Sequence, residues 1–378
     1  GSATGVFDTS LGNLIAELST LRIGQTSNRG SADGHFIVGD GVQLNATTVN
    51  IGVGNGATGT LNFVDNFTGN FHAETINLNR GLFDFGNNTL TIDTTGNIQT
   101  TTFNLTGGTL QGGTIDYDDT TGNFNFTGGT LVVGTFNGTL IQTGGTMAPG
   151  NSPGITTVNG NYNLSSAGAI QIELNSNGTA GVDFDQLDVN GVVNLNADVG
   201  TGGELNILLG FTPSIGNSFT IIDNDASDLI IGFFEGLGQL ANFDVVNGND
   251  HVTFQIDYAG GDGNDVVLTA TNVMTAVPLV ATRLAVQSND ASLTGAAGDE
   301  PLVFGTGAAS AGNLSMNPET PLELMIKGVM DAGAVAVDDS GAQVNLDEGA
   351  VLDFVPDLDD APLIGLSSDM FDYHDSLV

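Results

Sequence analysis

The chain has 378 residues, 40% of them apolar, with 5 Lys+Arg against 43 Asp+Glu and a formal net charge of −38. That apolar fraction is enough to bury a core and excludes wholesale disorder. So acidic a balance excludes nucleic acid and anionic lipid as partners, since both need phosphate-neutralising cations, and the absence of Cys excludes a disulfide framework and thiolate metal sites.

Residues 1–23 differ in pattern from the rest of the chain. Leu11, Leu14, Ile15, Leu18 and Leu21 recur at helical spacing behind Ser10, a residue type that caps helices. Two readings stay open. One is a short amphipathic helix; the other is a strand that caps a stack or joins it to a neighbour, because an uncovered layer edge invites pairing.

From residue 24 onward the sequence is rich in Gly, Asn and Thr, with alternating Val, Ile, Leu and Phe. Val42-Gln43-Leu44, Thr48-Val49-Asn50-Ile51, Thr60-Leu61-Asn62-Phe63, Thr75-Ile76-Asn77-Leu78 and Thr89-Leu90-Thr91-Ile92 read as short strands separated by Gly/Asn turns. A phrase then repeats. Asn104-Leu105-Thr106-Gly107-Gly108-Thr109-Leu110 returns as Asn125-Phe126-Thr127-Gly128-Gly129-Thr130-Leu131 and, frayed, as Gln142-Thr143-Gly144-Gly145-Thr146-Met147, with 21 and then 16 residues between the Gly-Gly pairs. That spacing suits one coil of a β-solenoid. Asn is expected to stack as a ladder between coils. The fold class predicted for residues 24–273 is all-β, a right-handed parallel β-helix.

The handedness comes from a resemblance. Gly144-Gly145-Thr146-Met147-Ala148-Pro149-Gly150-Asn151-Ser152-Pro153-Gly154, then Ile170-Gln171-Ile172-Glu173-Leu174 and Asp183-Phe184-Asp185-Gln186-Leu187-Asp188-Val189-Asn190-Gly191, resemble the passenger-associated repeat of bacterial autotransporters and related surface proteins. Asn217–Asp223 and Tyr258–Thr269 fit its downstream end, so the resemblance spans roughly 140–270. It implies a right-handed parallel β-helix, exported and displayed outside the cell, with no catalytic residues. An autotransporter continues into a membrane β-barrel. Residues 274–378 lack the ten-residue alternation a barrel needs, no segment has the length of a transmembrane helix, and no membrane insertion is expected.

In residues 274–378 the Asn/Thr ladders fade and Pro and Asp rise. Leu322–Ile326, Val335–Val337, Gln343–Leu346 and Val351–Val355 read as strands of a small C-terminal β domain followed by an extended acidic tail.

Candidate metal ligands are all carboxylates. Gly260-Gly261-Asp262-Gly263-Asn264-Asp265-Val266-Val267-Leu268 matches the calcium nonapeptide G-G-x-G-x-D-x-U-x, with Asp262 and Asp265 as ligands, though in one copy only; a structural turn is the other reading. Asp223, Asp225 and Asp228 share one loop, and Asp357 and Asp359 another. Solvated acidic turns are the ordinary reading of both, and Ca2+ is the one cofactor these residues suit. His35, His72, His251 and His374 share no ligand-like spacing.

With no Trp, four Tyr and few basic residues, a polysaccharide-degrading enzyme is disfavoured, and no catalytic residue is assigned. The leading expectation is a structural subunit of a bacterial surface fibre, filament or sheath, joined head to tail to copies of itself through Leu11, Leu14, Ile15, Leu18 and Leu21 or through the C-terminal tail. The alternative is an adhesin whose Thr/Asn faces bind surface glycans or ice. Ice binding calls for outward Thr in strict register, which rungs of varying length do not promise.

Overall fold

Alternation of apolar and polar residues produces strands whose inward faces are Val, Ile, Leu and Phe and whose outward faces are Thr and Asn. The computed structural model describes residues 2–26, 30–150, 152–198, 200–225, 228–248 and 250–275, with the short segments 323–325 and 351–353. The chain divides into the units Gly1–Thr275 and Ala276–Val378.

In the first unit, β1 (Ser2–Asp8) and β2 (Asn13–Gln25) make a first layer. β3 (Ser31–Val38) lies on β1 and β4 (Gly41–Val53) on β2, both parallel. β5 (Ala57–Phe63) and β6 (Asn70–Leu78) repeat the step on β3 and β4. β7 (Gly81–Asp84) continues the first column, and β8 (Thr89–Ile92) runs antiparallel to the long β9 (Ile98–Tyr117), which closes over both columns. β10 (Asn123–Asn137) and β11 (Leu140–Met147) continue the stack in parallel.

The stacking extends through β12 (Ile155–Asn159), β13 (Tyr162–Leu164), β14 (Gly168–Leu174), β15 (Gln186–Val189), β16 (Val193–Asn194) and β17 (Glu204–Leu209). β18 (Ser218–Asn224) is parallel on β15 but antiparallel to β21 (Asp265–Thr275). β19 (Asn242–Asn247) and β20 (Asp250–Gly260) complete an antiparallel end. The unit is therefore all-β with a long, mostly parallel sheet, consistent with a β-solenoid. The parallel helix expected through residue 273 gives way at β18, because the Gly-rich turn 260–264 folds the chain directly back on itself as a hairpin.

The register makes columns. Leu21, Val49, Ile76, Phe103 and Phe124 stack one on the next, as do Phe7, Phe36, Leu61, Phe83 and Leu110. Phe83 and Phe103 meet edge to face at 5.6 Å, and Phe124 and Phe136 lie tilted at 5.4 Å. Each such buried ring contributes roughly 1.5–3 kcal/mol. Gln142 is a fully buried polar side chain. Gln142 donates to Gly145 O and Ala169 O at 2.9 and 3.0 Å and accepts from the Tyr162 hydroxyl at 2.6 Å, so its side chain is satisfied inside the core.

Asn ladders run outside. Asn77 donates to Asn50, Asn104 to Asn77 and Asn125 to Asn104, at 2.9, 2.7 and 2.7 Å. A second ladder joins Asn137, Asn159 and Asn190 at 2.8 and 2.7 Å. Beside the first ladder, Thr20, Thr48, Thr75 and Thr102 fall in register, so the outward Thr are aligned over four layers despite the varying rung length. The loops absorb that variation.

The repeated phrase has a steric cause. Thr109, Thr130 and Thr146 are register partners in adjacent layers. Gly108, Gly129 and Gly145 precede them with φ of 71°, 73° and 73°, a backbone region glycine enters freely. A β-carbon on Gly129 would stand 2.6 Å from the Gly108 carbonyl oxygen, and one on Gly128 2.4 Å from the Thr106 oxygen. The first glycine of each pair lets layers approach; the second also needs the backbone angle.

No helix occurs among the described residues. The helical reading of residues 9–23 is thus corrected: β2 pairs with β4 from Asn13 to Gln25. Leucines three and four apart also satisfy a strand that skips one residue, and here Ser19 is passed over between Leu18↔Ala46 and Thr20↔Thr48. In the second unit, Glu323–Met325 and Val351–Asp353 pair in parallel. The strands expected at 335–337 and 343–346, and the acidic tail with Asp357 and Asp359, lie outside the described residues.

Candidate functional site

Two places combine uncommon surface chemistry with a defined position in the stack. The first is the layer of β1 and β2. Each pairs on one edge only among the described residues, β1 with β3 and β2 with β4. Phe7 sits in register with buried Phe36, its ring 5.1 Å away, yet is 52% exposed; Leu18 sits over Ala46 and is 36% exposed. These are core positions without a cover. Leu14 and Leu21 pack partly against the core, whereas Leu11 and Ile15 stand in solvent. The five residues singled out in sequence thus share one layer but not one face.

Between residues 19 and 140 no large apolar side chain is exposed among the described residues. Exposure returns at Ile141, Ile155, Val182, Leu208 and Ile215, is densest along the chain at Leu229, Ile231, Phe233 and Leu240, and recurs at Val246 and Met274. Ile231 bridges to Asn194 in parallel, which places that segment one layer beyond β16. Apolar exposure is thus concentrated in the first layer, absent from residues 19–140, and scattered from Ile141 onward, with its densest run at 229–240. On the flank, Asn50, Asn77, Asn79 and Arg80 line a shallow depression of about 500 Å3.

The second place is where β18 ends against the turn between β20 and β21. Asp265 is 5% exposed, and its Oδ1 accepts the Asn224 N–H at 3.0 Å. Burial pushes its carboxyl above the usual range, the Asn224 N–H works against that, and Asp262 raises it further. Asp223, in register with Asp188, is likewise raised, first by burial and then by the charges of Asp265, Asp188 and Asp262. The Asn224 amide nitrogen donates to Asp228 O at 2.6 Å, and that of Asn264 donates to Asp225 O. The fold thus brings Asp223, Asp225, Asp228, Asp262 and Asp265 to one corner, with Asp262 in the exposed turn. The nonapeptide match is the turn of an antiparallel hairpin, not one member of a parallel stack.

Among the described residues no three His, Cys, Asp or Glu side chains converge as a metal cluster of their own. Oxygen donors of another kind are present. Asn224 Oδ1, Asp225 Oδ1 and Asn264 Oδ1 are buried and accept no hydrogen bond. The two asparagines escape a sequence reading that counts only carboxylates. The signal is there in Asn224, flanked by Asp223 and Asp225, and in Asn264, next to Asp265.

Asp185 escapes it too. It is 2% exposed, and its carboxylate accepts the Gly154 and Glu173 N–H groups at 2.7 and 2.8 Å, tying the turn before β12 to the end of β14. Burial raises its pKa to about 6 against those two bonds. Elsewhere among the described residues His35 Nε2 lies within hydrogen-bond distance of an Asp33 carboxylate oxygen, at 2.9 Å.

The chain matches no family model and no curated protein sequence.

Proposed function

We propose that residues 2–275 form the shaft of a bacterial surface fibre, filament or sheath outside the cell, built as a right-handed parallel β-solenoid of the passenger-associated kind. Copies join head to tail. The observation that carries this reading is the exposed apolar first layer, where Phe7 and Leu18 are left as uncovered core positions. An uncovered parallel edge with aligned apolar side chains accepts another layer. The layer that fits it is the 229–240 end of a second copy, which offers Leu229, Ile231, Phe233 and Leu240. A contact between two unlike ends does not close on itself and gives a filament.

Electron microscopy and sedimentation of the full chain across a concentration series test this. Filaments that disappear in a Phe7→Asp/Leu18→Asp variant, while the variant keeps its strand signal, are the expected result. Monomers at every concentration would sink the reading.

A glycan-binding adhesin is the second reading. It rests on the aligned outward Thr and Asn and on the depression beside Arg80. Binding on a glycan array that is lost in Arg80→Ala, with no filaments seen, would favour it over the first.

A further inference from the structure

The corner between β18 and the β20–β21 turn holds more acceptors than the protein supplies donors for. Asn224 is 3% exposed and Asn264 5%, and the Oδ1 of each accepts no hydrogen bond. Neither amide turns over freely. Each already donates through its nitrogen to a main-chain carbonyl, Asn224 to Asp228 and Asn264 to Asp225, and a flip would set oxygen against oxygen. Since O and N of one amide lie about 2 Å apart, the bare Asn264 oxygen stays beside Asp225, whose own Oδ1 is also buried and bare. Asp225 is in turn tied to Asp228, whose N–H donates to Asp225 O at 3.4 Å. Asn224 and Asp265 are joined at 3.0 Å. The bare oxygens thus belong to one hydrogen-bonded knot of residues.

A single water has two protons and cannot serve three such acceptors. A cation can. Carboxamide and carboxylate oxygens in mixture are what a hard divalent ion of calcium size takes. Asp265 is hydrogen-bonded to the Asn224 N–H, Asp223 and Asp225 flank Asn224, and no cationic side chain pairs with these carboxyl groups among the described residues.

We infer that Asn224 Oδ1, Asp225 Oδ1 and Asn264 Oδ1, with the negative charge of Asp265 behind them, bind one divalent cation of the Ca2+ class. The ion ties the hairpin turn to the end of β18, where the parallel stack meets the antiparallel end. The inference is independent of fibre assembly.

The test is thermal unfolding and calorimetric titration of the full chain, stripped with chelator and then given CaCl2, MgCl2 or NaCl of matched ionic strength. Expected are one site with a dissociation constant on the order of 0.1–1 mM, as for extracellular calcium modules, and a midpoint raised by Ca2+ more than by Mg2+ or salt. Asp225→Asn is the key variant. Its Oδ1 has no protein partner, so the substitution breaks no hydrogen bond there, and it should weaken binding at least tenfold. Asn264→Ala should do the same if it folds. A Ca2+ shift no larger than that of matched salt, a shift unchanged in Asp225→Asn, or a crystal grown in millimolar Ca2+ showing only water at the three oxygens would each overturn the inference.

Discussion

Gly129→Ala should destabilise the stack far more than Gly134→Ala, though both replace a strand glycine in β10 by the same methyl. At Gly129, φ is 73°, and the added β-carbon would sit 2.6 Å from Gly108 O and 2.8 Å from Gly107 C. The left-handed backbone costs an alanine about 1–2 kcal/mol. Displacing a main-chain carbonyl held in the parallel ladder adds roughly another 2 kcal/mol. The stiffer unfolded chain returns about 0.4–1 kcal/mol. The net loss is about 3 kcal/mol, or roughly 6–12 °C in midpoint for a unit of this size. At Gly134 the nearest atom is Gly113 O at 3.2 Å, a contact relieved by a few tenths of an ångström, so the change there should stay within about 1 kcal/mol. Far-UV circular dichroism and tyrosine fluorescence during heating measure both. Equal midpoints for the two variants would refute the steric account of the Gly-Gly repeat.

Asp185 should give a pH signature. Its folded pKa of about 6 lies above the usual 3.8, so the folded state holds a proton that the unfolded chain releases, and stability falls as pH rises from about 4 to above 6. The gap corresponds to about 3 kcal/mol at 1.36 kcal/mol per pH unit. Asp185→Asn should lack that slope, and a wild-type-minus-variant difference that stays flat from pH 4 to 7 would contradict the assignment. Tyr162→Phe leaves the buried Gln142 Oε1 without its donor and should cost about 1–3 kcal/mol by urea titration, whereas a neutral result would mean water replaces the hydroxyl. Asn104→Ala removes the middle of a ladder, breaking bonds to both Asn77 and Asn125. Its cost, about 1–2 kcal/mol, should exceed that of Asn125→Ala, which breaks one, and the reverse order would argue against ladder bonding. Phe103→Ala, which empties a position between Phe83 and Phe124, should lose about 3–5 kcal/mol, measured in the same titration.

Much of the stack was legible because its spacing is written in residues. The 21 residues between Asn104 and Asn125 are the step from one layer to the next, and Thr75-Ile76-Asn77 needed only period-2 reading to place Ile76 inside and Asn77 outside. The first layer was harder. Its leucines fit a helix as well as a strand, and only a partner strand far along the chain decides between them, as Gly41–Val53 does for β2. The antiparallel end was hidden for the opposite reason: Gly260–Asp265 reads equally as a solenoid corner and as a hairpin turn, and the pairing of β20 with β21 distinguishes them. At the oxygen cluster, Asp265 was visible by charge, while Asn224 and Asn264 carry none and are recognised only by what their oxygens fail to meet.

The unequal steps between layers have a consequence of their own. The ladder partners Asn77 and Asn104 are separated by 27 residues, Asn104 and Asn125 by 21, and Asn159 and Asn190 by 31, yet each pair meets at hydrogen-bond distance. Length is thus free to change in the corners while the ladders hold still. Such a scaffold can gain or lose corner segments one at a time without renegotiating its interior, and those corners are the natural places to graft peptides at fixed intervals along the stack.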